Sequence, residues 1–414
     1  MASRVFVTGL GAVSCIGIGR RAFWEALVAG TCGAAPVEGF DTSSIGRDIA
    51  CEVRGFRPRD FLSAAEARRM GKCSQFAVAA ARIAVDDAKM PPALLATERT
   101  AVVVGTTMGE ADVLGELESA WIHRGEQAID HRSLPRYGTT LLPIHVARAF
   151  GAHGMTQTLP AACAAGNYAI GFAADQIRAG RADVAIAGAS EIIEKLQFAG
   201  FARLGAIAPE RCTPFDKDRK GLLVGEGAGM MVLESEAHAR ARGARILAEV
   251  GGYGLACDAH HITRPHPEGA GSVQAMLRAL EASGVGPEAV DFVNAHGTGT
   301  DANDKIEALV MERVFGERAR SVPISSMKSM IGHCMGAASA LEAVSCVETI
   351  QTGIYPPTIG YRTPDPEIRL DVVANEARRG RADVVLNNAL AFGGYDAVLL
   401  FAREGVLPDS VGEL

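Results

Sequence analysis

Cys163 lies in "LPAACAAGNYAIGFAADQIRAG", between a proline and a stretch patterned as an amphipathic helix. Two histidines stand beside similar boundaries, His296 in "VNAHGTGTDANDKIEA" and His333 in "SSMKSMIGHCMGAASALEAV". A thiol at a helix start is favoured as the anion, because the N-terminal dipole stabilises negative charge. A Cys–His pair suits acyl transfer. A second histidine suggests a further demand, since neutral imidazole N–H groups can hold an enolate oxygen as it forms. Lys328 sits in an apolar segment and needs a partner if buried, and Glu307 is the expected one. The competing reading of Cys163 is a core thiol without chemistry, because free cysteines often behave as small buried hydrophobes.

These groups must be positioned by elements that the hydrophobic pattern makes visible. Strand-length apolar runs ("RVFVTGLG", "TAVVVGTT", "ADVAIAGAS", "GAGMMVLES", "VDFVNAHG", "ADVVLNNAL", "DAVLLFARE") alternate with helix-length segments such as 23–29, 64–89, 273–282 and 341–352. That alternation predicts an α/β fold with largely buried strands. "GRADVAIAGA" from Gly180 returns as "GRADVVLNNA" from Gly380, each preceded by a helix of small residues and followed by another strand. We read this as an internal duplication, with halves at 1–245 and 246–414. Stacked face to face, the halves would bring Cys163 and His333, each at a helix start, to the centre.

Composition narrows the function. The 414 residues are 48% hydrophobic and 21% charged, enough for a large core, and disorder is expected only after Gly405. A net charge of −7 argues against a general nucleic-acid binder. The 9 cysteines show no metal-ligand spacing, so no metal is expected, and they read as reduced thiols of a cytoplasmic protein. Gly9-x-Gly11-x-x-Ser14 lacks the third glycine of a dinucleotide loop. "GEGAG" runs into a strand, so it predicts a backbone crossing and no phosphate cradle.

Taken together, the motifs "AACAAG", "TPFDKDRKGLLVGEGAGMMVLE", "NAHGTGTDANDKIE", "KSMIGHCMGAASALE" and "AFGGYDAVLLF" resemble the elongating β-ketoacyl-acyl carrier protein synthases of the thiolase superfamily. The resemblance spans nearly the whole chain. It implies a five-layered α-β-α-β-α fold of two duplicated halves. It also implies that Cys163 carries the acyl chain as a thioester, while His296 and His333 bind the malonyl thioester carbonyl during loss of carbon dioxide. Lys328 and Glu307 would maintain the charge around His333. The N–H groups of Cys163 and Phe392 would form an oxyanion hole, with Phe392 gating the cysteine beside Gly393. Thr298 and Thr300 would hold the phosphopantetheine arm, Met108 would limit acyl depth, and Phe201 would stand near the mouth. No cofactor is implied on this chain itself, because the arm arrives on the acyl carrier protein. Arg68 and Arg69 would dock that acidic partner. A dimer is implied, with an identical chain or a ketosynthase-like chain-length factor.

The chain departs from the family at several points. Ala161 replaces a usual hydroxyl residue, and Ala65 replaces a docking lysine. Ala389, Leu390 and Ala391 replace Ser-Phe-Gly ahead of the gate, and Tyr395-Asp396 replaces Thr-Asn. These changes favour a specialised polyketide or polyene pathway over housekeeping fatty-acid synthesis. Two other readings are weighed against the condensing enzyme. A non-catalytic chain-length factor would usually lack Cys163, and a coenzyme A thiolase would need a cysteine after Cys346.

Overall fold

Strands buried on both faces must be covered by helices on both sides. The computed structural model of the chain describes residues 3–408; the expected disordered tail lies, from residue 409 on, outside the described residues. All ten positions of β1 (Val5–Ser14) are buried, as are the whole of β4 (Val184–Glu191) and β5 (Gly227–Ser235). With β2 (Thr100–Gly105) and β3 (Thr156–Leu159) they form one half of the sheet, in the order β3-β2-β4-β5-β1. The second half uses β6 (Ala248–Cys257), β7 (Phe292–Asn294), β8 (Pro323–Ser325), β9 (Val384–Ala391) and β10 (Tyr395–Ala402). Its order is β8-β7-β9-β10-β6, the same path in the same chain sequence. Antiparallel pairing of Val5–Val7 with Ala248–Val250 joins the two halves edge to edge.

The helices repeat as well. α1 (Lys72–Asp87), α2 (Leu141–Phe150) and α3 (Ala165–Arg178) serve the first half. α4 (Ala270–Ala282), α5 (Asp301–Phe315) and α6 (Ala338–Thr352) serve the second. Strand alternation sorts them into layers. Ala101, Val103, Ala185 and Ala187 face a central core with α3 and α6, while Val102, Val104, Val184 and Ile186 face α1 and α2. On the second sheet Val385, Leu399 and Phe401 face the centre, and Val384, Leu386 and Val398 face α4 and α5. The result is the five-layered thiolase-like fold. α6 is buried from Ala338 to Ile350, as a helix without a polar face must be.

Local corrections have clear causes. The segment expected as one helix over 64–89 breaks into Ala64–Ala67 and α1. Glu110 accepts from Cys73 and Ser74 N–H at 3.2 and 2.8 Å, capping α1 from outside the segment. The α3 and α6 helices begin at Ala165 and Ala338, each after a tight 3₁₀ turn, Ala162–Ala164 and Met335–Ala337. Each turn opens on a non-glycine residue with positive φ, Ala162 at 47° and Met335 at 45°. The counterpart of Cys163 is therefore Gly336, and His333 stands three residues ahead of it. "GEGAG" is the expected crossing: a Cβ on Gly229 would lie 2.6 Å from the backbone of Ala340 and Leu341.

Candidate active site

Cys163 is held by the turn before α3. Its carbonyl accepts from Ser339 Oγ of α6 at 3.1 Å, and the same hydroxyl accepts from Asn167 N–H at 3.2 Å. The opposite halves thus fix the cysteine through one shared serine. The thiol lies in the wall of a cavity that is also lined by His296, His333, Thr298, Phe201 and Phe392. Burial pushes the thiol up to about 11, while the Lys328 charge and the Phe392 N–H pull the other way. Burial works against the lowering expected at the helix start. Helix α3 begins two residues later, so the thiol is not at its first turn.

His333 is pinned through its backbone, which donates to Leu223 at 2.7 Å and accepts from Gly225 at 2.9 Å. Its Nδ1 accepts the Met335 N–H at 3.1 Å, so the neutral ring carries its proton on Nε2. His296 follows the end of β7, and its ring meets that of His333 edge to face at 5.4 Å. Lys328 Nζ lies 3.4 Å from His296 Nδ1. An ammonium can only donate, so His296 is also an Nε2–H tautomer. Burial first, then the Lys328 charge, holds both imidazoles well below their ordinary range. Two neutral N–H donors therefore stand in one wall beside a thiol.

Glu307 is not the partner of Lys328. Lys328 is ion-paired to Glu342, on the buried face of α6. Glu307 instead accepts the backbone N–H groups of His296 and Gly297, each at 2.7 Å, and Asn388 Nδ2 approaches it at 3.4 Å. Burial raises its carboxyl to about 7 despite those donors. Glu307 thus sets the position of His296, and Glu342 neutralises Lys328. The lone carboxylate of "ASALEAV" was the available signal, since an acid inside an otherwise apolar buried helix requires a buried cation.

The remaining expected residues divide by location. Thr298 and Thr300 line the cavity with hydroxyls 2.9 Å apart. Phe392 is 38% exposed, and its ring lies 5.9 Å from that of Phe201, so the two aromatics stand together at the wall. Gly393 has φ 82°, open to glycine at little cost, and its N–H donates to Ile262 at 2.7 Å. Met108 is not among the lining residues; its N–H donates to Glu191 at 3.1 Å. Arg68 and Arg69 are exposed after the Ala64–Ala67 turn, away from the cavity wall. Sequence reasoning missed Glu342, Asn388 and the loop after β6, which adds Asp258, His261 and Arg264 to the wall. Among the described residues no three His, Cys, Asp or Glu side chains assemble as a metal site.

A buried cysteine, two imidazole N–H donors and two threonine hydroxyls meet around one cavity between the duplicated halves, an arrangement suited to acyl transfer. The chain belongs to the β-ketoacyl synthase family: residues 2–239 match its N-terminal domain and residues 247–362 its C-terminal domain. It is a ketosynthase. It is 38% identical to 3-oxoacyl-[acyl-carrier-protein] synthase 2 of Synechocystis sp., over 97% of this chain and 98% of that one. Among solved structures it is similar to the ishigamide ketosynthase/chain length factor, with a TM-score of 0.95, 43% identity, and coverage of 98% and 100%. It is also similar to a type II polyketide synthase acyl carrier protein–ketosynthase complex bound to the hexaketide, with a TM-score of 0.90, 32% identity, and coverage of 97% and 100%.

Proposed function

We propose that this chain condenses an acyl group carried on Cys163 with malonyl-acyl carrier protein, giving a 3-oxoacyl-acyl carrier protein two carbons longer. The observation that carries this reading is the pair of fixed Nε2–H tautomers beside the thiol. Loading exchanges one thioester for another: the Cys163 sulfur attacks the acyl carbonyl, and its proton leaves on the carrier thiol. The malonyl arm then enters along Thr298 and Thr300, placing its thioester carbonyl against His296 and His333. As the C–C bond to the carboxylate breaks, carbon dioxide leaves and the electron pair moves onto the oxygen held by the two N–H groups. The enolate carbon attacks the acyl carbonyl on Cys163, whose oxygen faces the N–H groups of Cys163 and Phe392. Collapse expels the Cys163 thiolate, which takes up a proton.

Lys328, neutralised by Glu342, keeps His296 unprotonated, and Glu307 holds the His296 backbone. Arg68 and Arg69 offer cations to an acidic carrier, whose phosphopantetheine replaces any cofactor on this chain. Met108 limits acyl depth once the gate admits a chain. The altered residues Ala389, Leu390 and Ala391, with the likeness to polyketide ketosynthases, support a specialised polyketide or polyene pathway. The partner is a second chain of this fold, identical or of the chain-length-factor kind. The halves divide at 1–245 and 246–414, in keeping with the gap between the two matched family domains. A cytoplasmic location is in keeping with the described residues, in which no helix is long and apolar enough to cross a membrane. The test is intact-protein mass after incubation with acyl-acyl carrier proteins. An acyl adduct on the peptide bearing Cys163, absent from Cys163→Ala, is expected; an adduct of equal yield on the variant overturns the reading.

A further inference from the structure

The Ala391–Gly394 gate is tied to the loop after β6 by two backbone bonds. Gly393 N–H donates to Ile262 at 2.7 Å, and Asp258 N–H donates to Gly394 at 2.9 Å. Beneath these bonds two carboxyl groups face one another. Asp258 Oδ2 accepts from His266 N–H at 2.8 Å and Oδ1 from Gly271 N–H at 3.2 Å. Asp396, 2% exposed on β10, accepts from Ser272 Oγ at 2.9 Å through Oδ1 only. Its Oδ2 is buried and has no donor. Asp258 Oδ1 lies 2.7 Å from the point a Gly271 Cβ would occupy, and Asp396 Oδ2 crowds the same point, so glycine there lets the two oxygens meet.

We propose that Asp258 and Asp396 share one proton, and that this acid pair is a positioning device that latches the gate to the 258–269 loop. The proton's place follows from the hydrogen bonds. Asp258 already collects two N–H donors, which favour its carboxylate form. Asp396 has one oxygen without a donor, and protonation turns that oxygen into a donor toward Asp258. Both groups line the cavity that holds Cys163 and Phe392. Burial first, and then the Asp258 charge, raises the Asp396 carboxyl to about 8. Below that pH the pair is a hydrogen bond; above it, the buried Asp396 anion and the half-buried Asp258 anion repel, and the segments they anchor separate.

No nearby group replaces the proton. Tyr168 of α3, Tyr395 of β10, Cys257 of β6 and Ser272 of α4 offer no positive charge to the pair. The loop contributes His260, His261, Arg264 and His266, and among the described residues neither carboxylate forms an ion pair. Part of this inference, the gate's effect on loading, rests on the proposed role of Cys163; the latch itself does not.

The test uses hydrogen exchange of the peptide covering the gate, at pH 7 and pH 9, corrected for intrinsic exchange. In the wild type, protection should fall about tenfold, following the loss of the proton. Asp396→Asn carries a permanent donor toward Asp258 and should keep equal protection at both values. Asp258→Asn, whose amide can donate to Asp396, should also be flat and serves if the first variant folds poorly. Acyl loading measured alongside should rise above pH 8 in the wild type relative to Asp396→Asn. Unchanged protection in the wild type, or the same fall in both variants, overturns the latch. A normal exchange result without any acyl adduct would instead count against the role of Cys163.

Discussion

Each histidine is made a donor by a neighbour that takes no part in the reaction. The Met335 N–H occupies Nδ1 of His333, and the Lys328 ammonium occupies Nδ1 of His296. Protonating either ring would place a second cation beside Lys328 in a buried site, so both stay neutral through the range where a free imidazole titrates. The sign for stability follows. Their folded values lie below the unfolded value of about 6.5, so the stabilisation is present above that pH and is lost as pH falls beneath it. Malonyl decarboxylation should therefore remain flat through pH 6.5 as long as the protein is folded. His296→Ala and His333→Ala should each lower decarboxylation about a hundredfold, while acylation of Cys163 falls much less. Rates of carbon dioxide release and of acyl-adduct formation, measured on the same preparations, decide it; equal loss of both half-reactions rejects the division.

At the scale of elements, the duplicated pattern was legible because the central strands are buried on both faces and read as apolar runs. That Cys163, His296 and His333 would meet around one cavity was legible from motif and resemblance. The pairing of Lys328 was not, because Glu307 and Glu342 are both helical acids and only three-dimensional packing separates them. Nor were the 3₁₀ turns, since alanine and methionine at positive φ break the propensity rule that sequence reading relies on. What makes such turns affordable is the close approach of α3 and α6. A Cβ on Gly166 would run into the backbone nitrogen of Ala340 and lie 2.8 Å from Ser339 Oγ. Gly166→Ala should therefore destabilise the protein by about 1–3 kcal/mol, despite alanine's better helix propensity. It should also weaken the serine bridge to Cys163. Denaturant midpoints and the acylation rate check both effects; a variant as stable as the wild type would show that the helices can part without loss.

For the whole molecule, the position that mirrors Cys163 in the second half carries no thiol and is closed by a carboxyl group. Gly336, the counterpart of Cys163, donates its N–H to Glu191 at 3.2 Å, and Thr107 and Met108 donate to the same carboxylate at 2.6 and 3.1 Å. A buried carboxyl group thus takes the N–H that corresponds to that of Cys163. The first half has a second peculiarity: β3 ends the sheet, with Thr156 and Gln157 exposed. The chain beside it, which Thr158 touches through the Thr139 carbonyl, leaves Leu134 and Tyr137 at 47% and 43% exposure. The helix Ala111–Arg124 adds Trp121 at 60% and Ile122 at 77%. An open sheet edge next to exposed aromatic and branched side chains invites a second chain. Sedimentation at micromolar concentration should therefore find a dimer, either of this chain alone or with a related partner. Ile122 is largely exposed, so Ile122→Lys should leave the fold intact while shifting the protein to monomer. A wild type that sediments as a monomer in the presence and absence of a related chain rejects the dimer, and an Ile122→Lys variant that stays dimeric places the interface elsewhere.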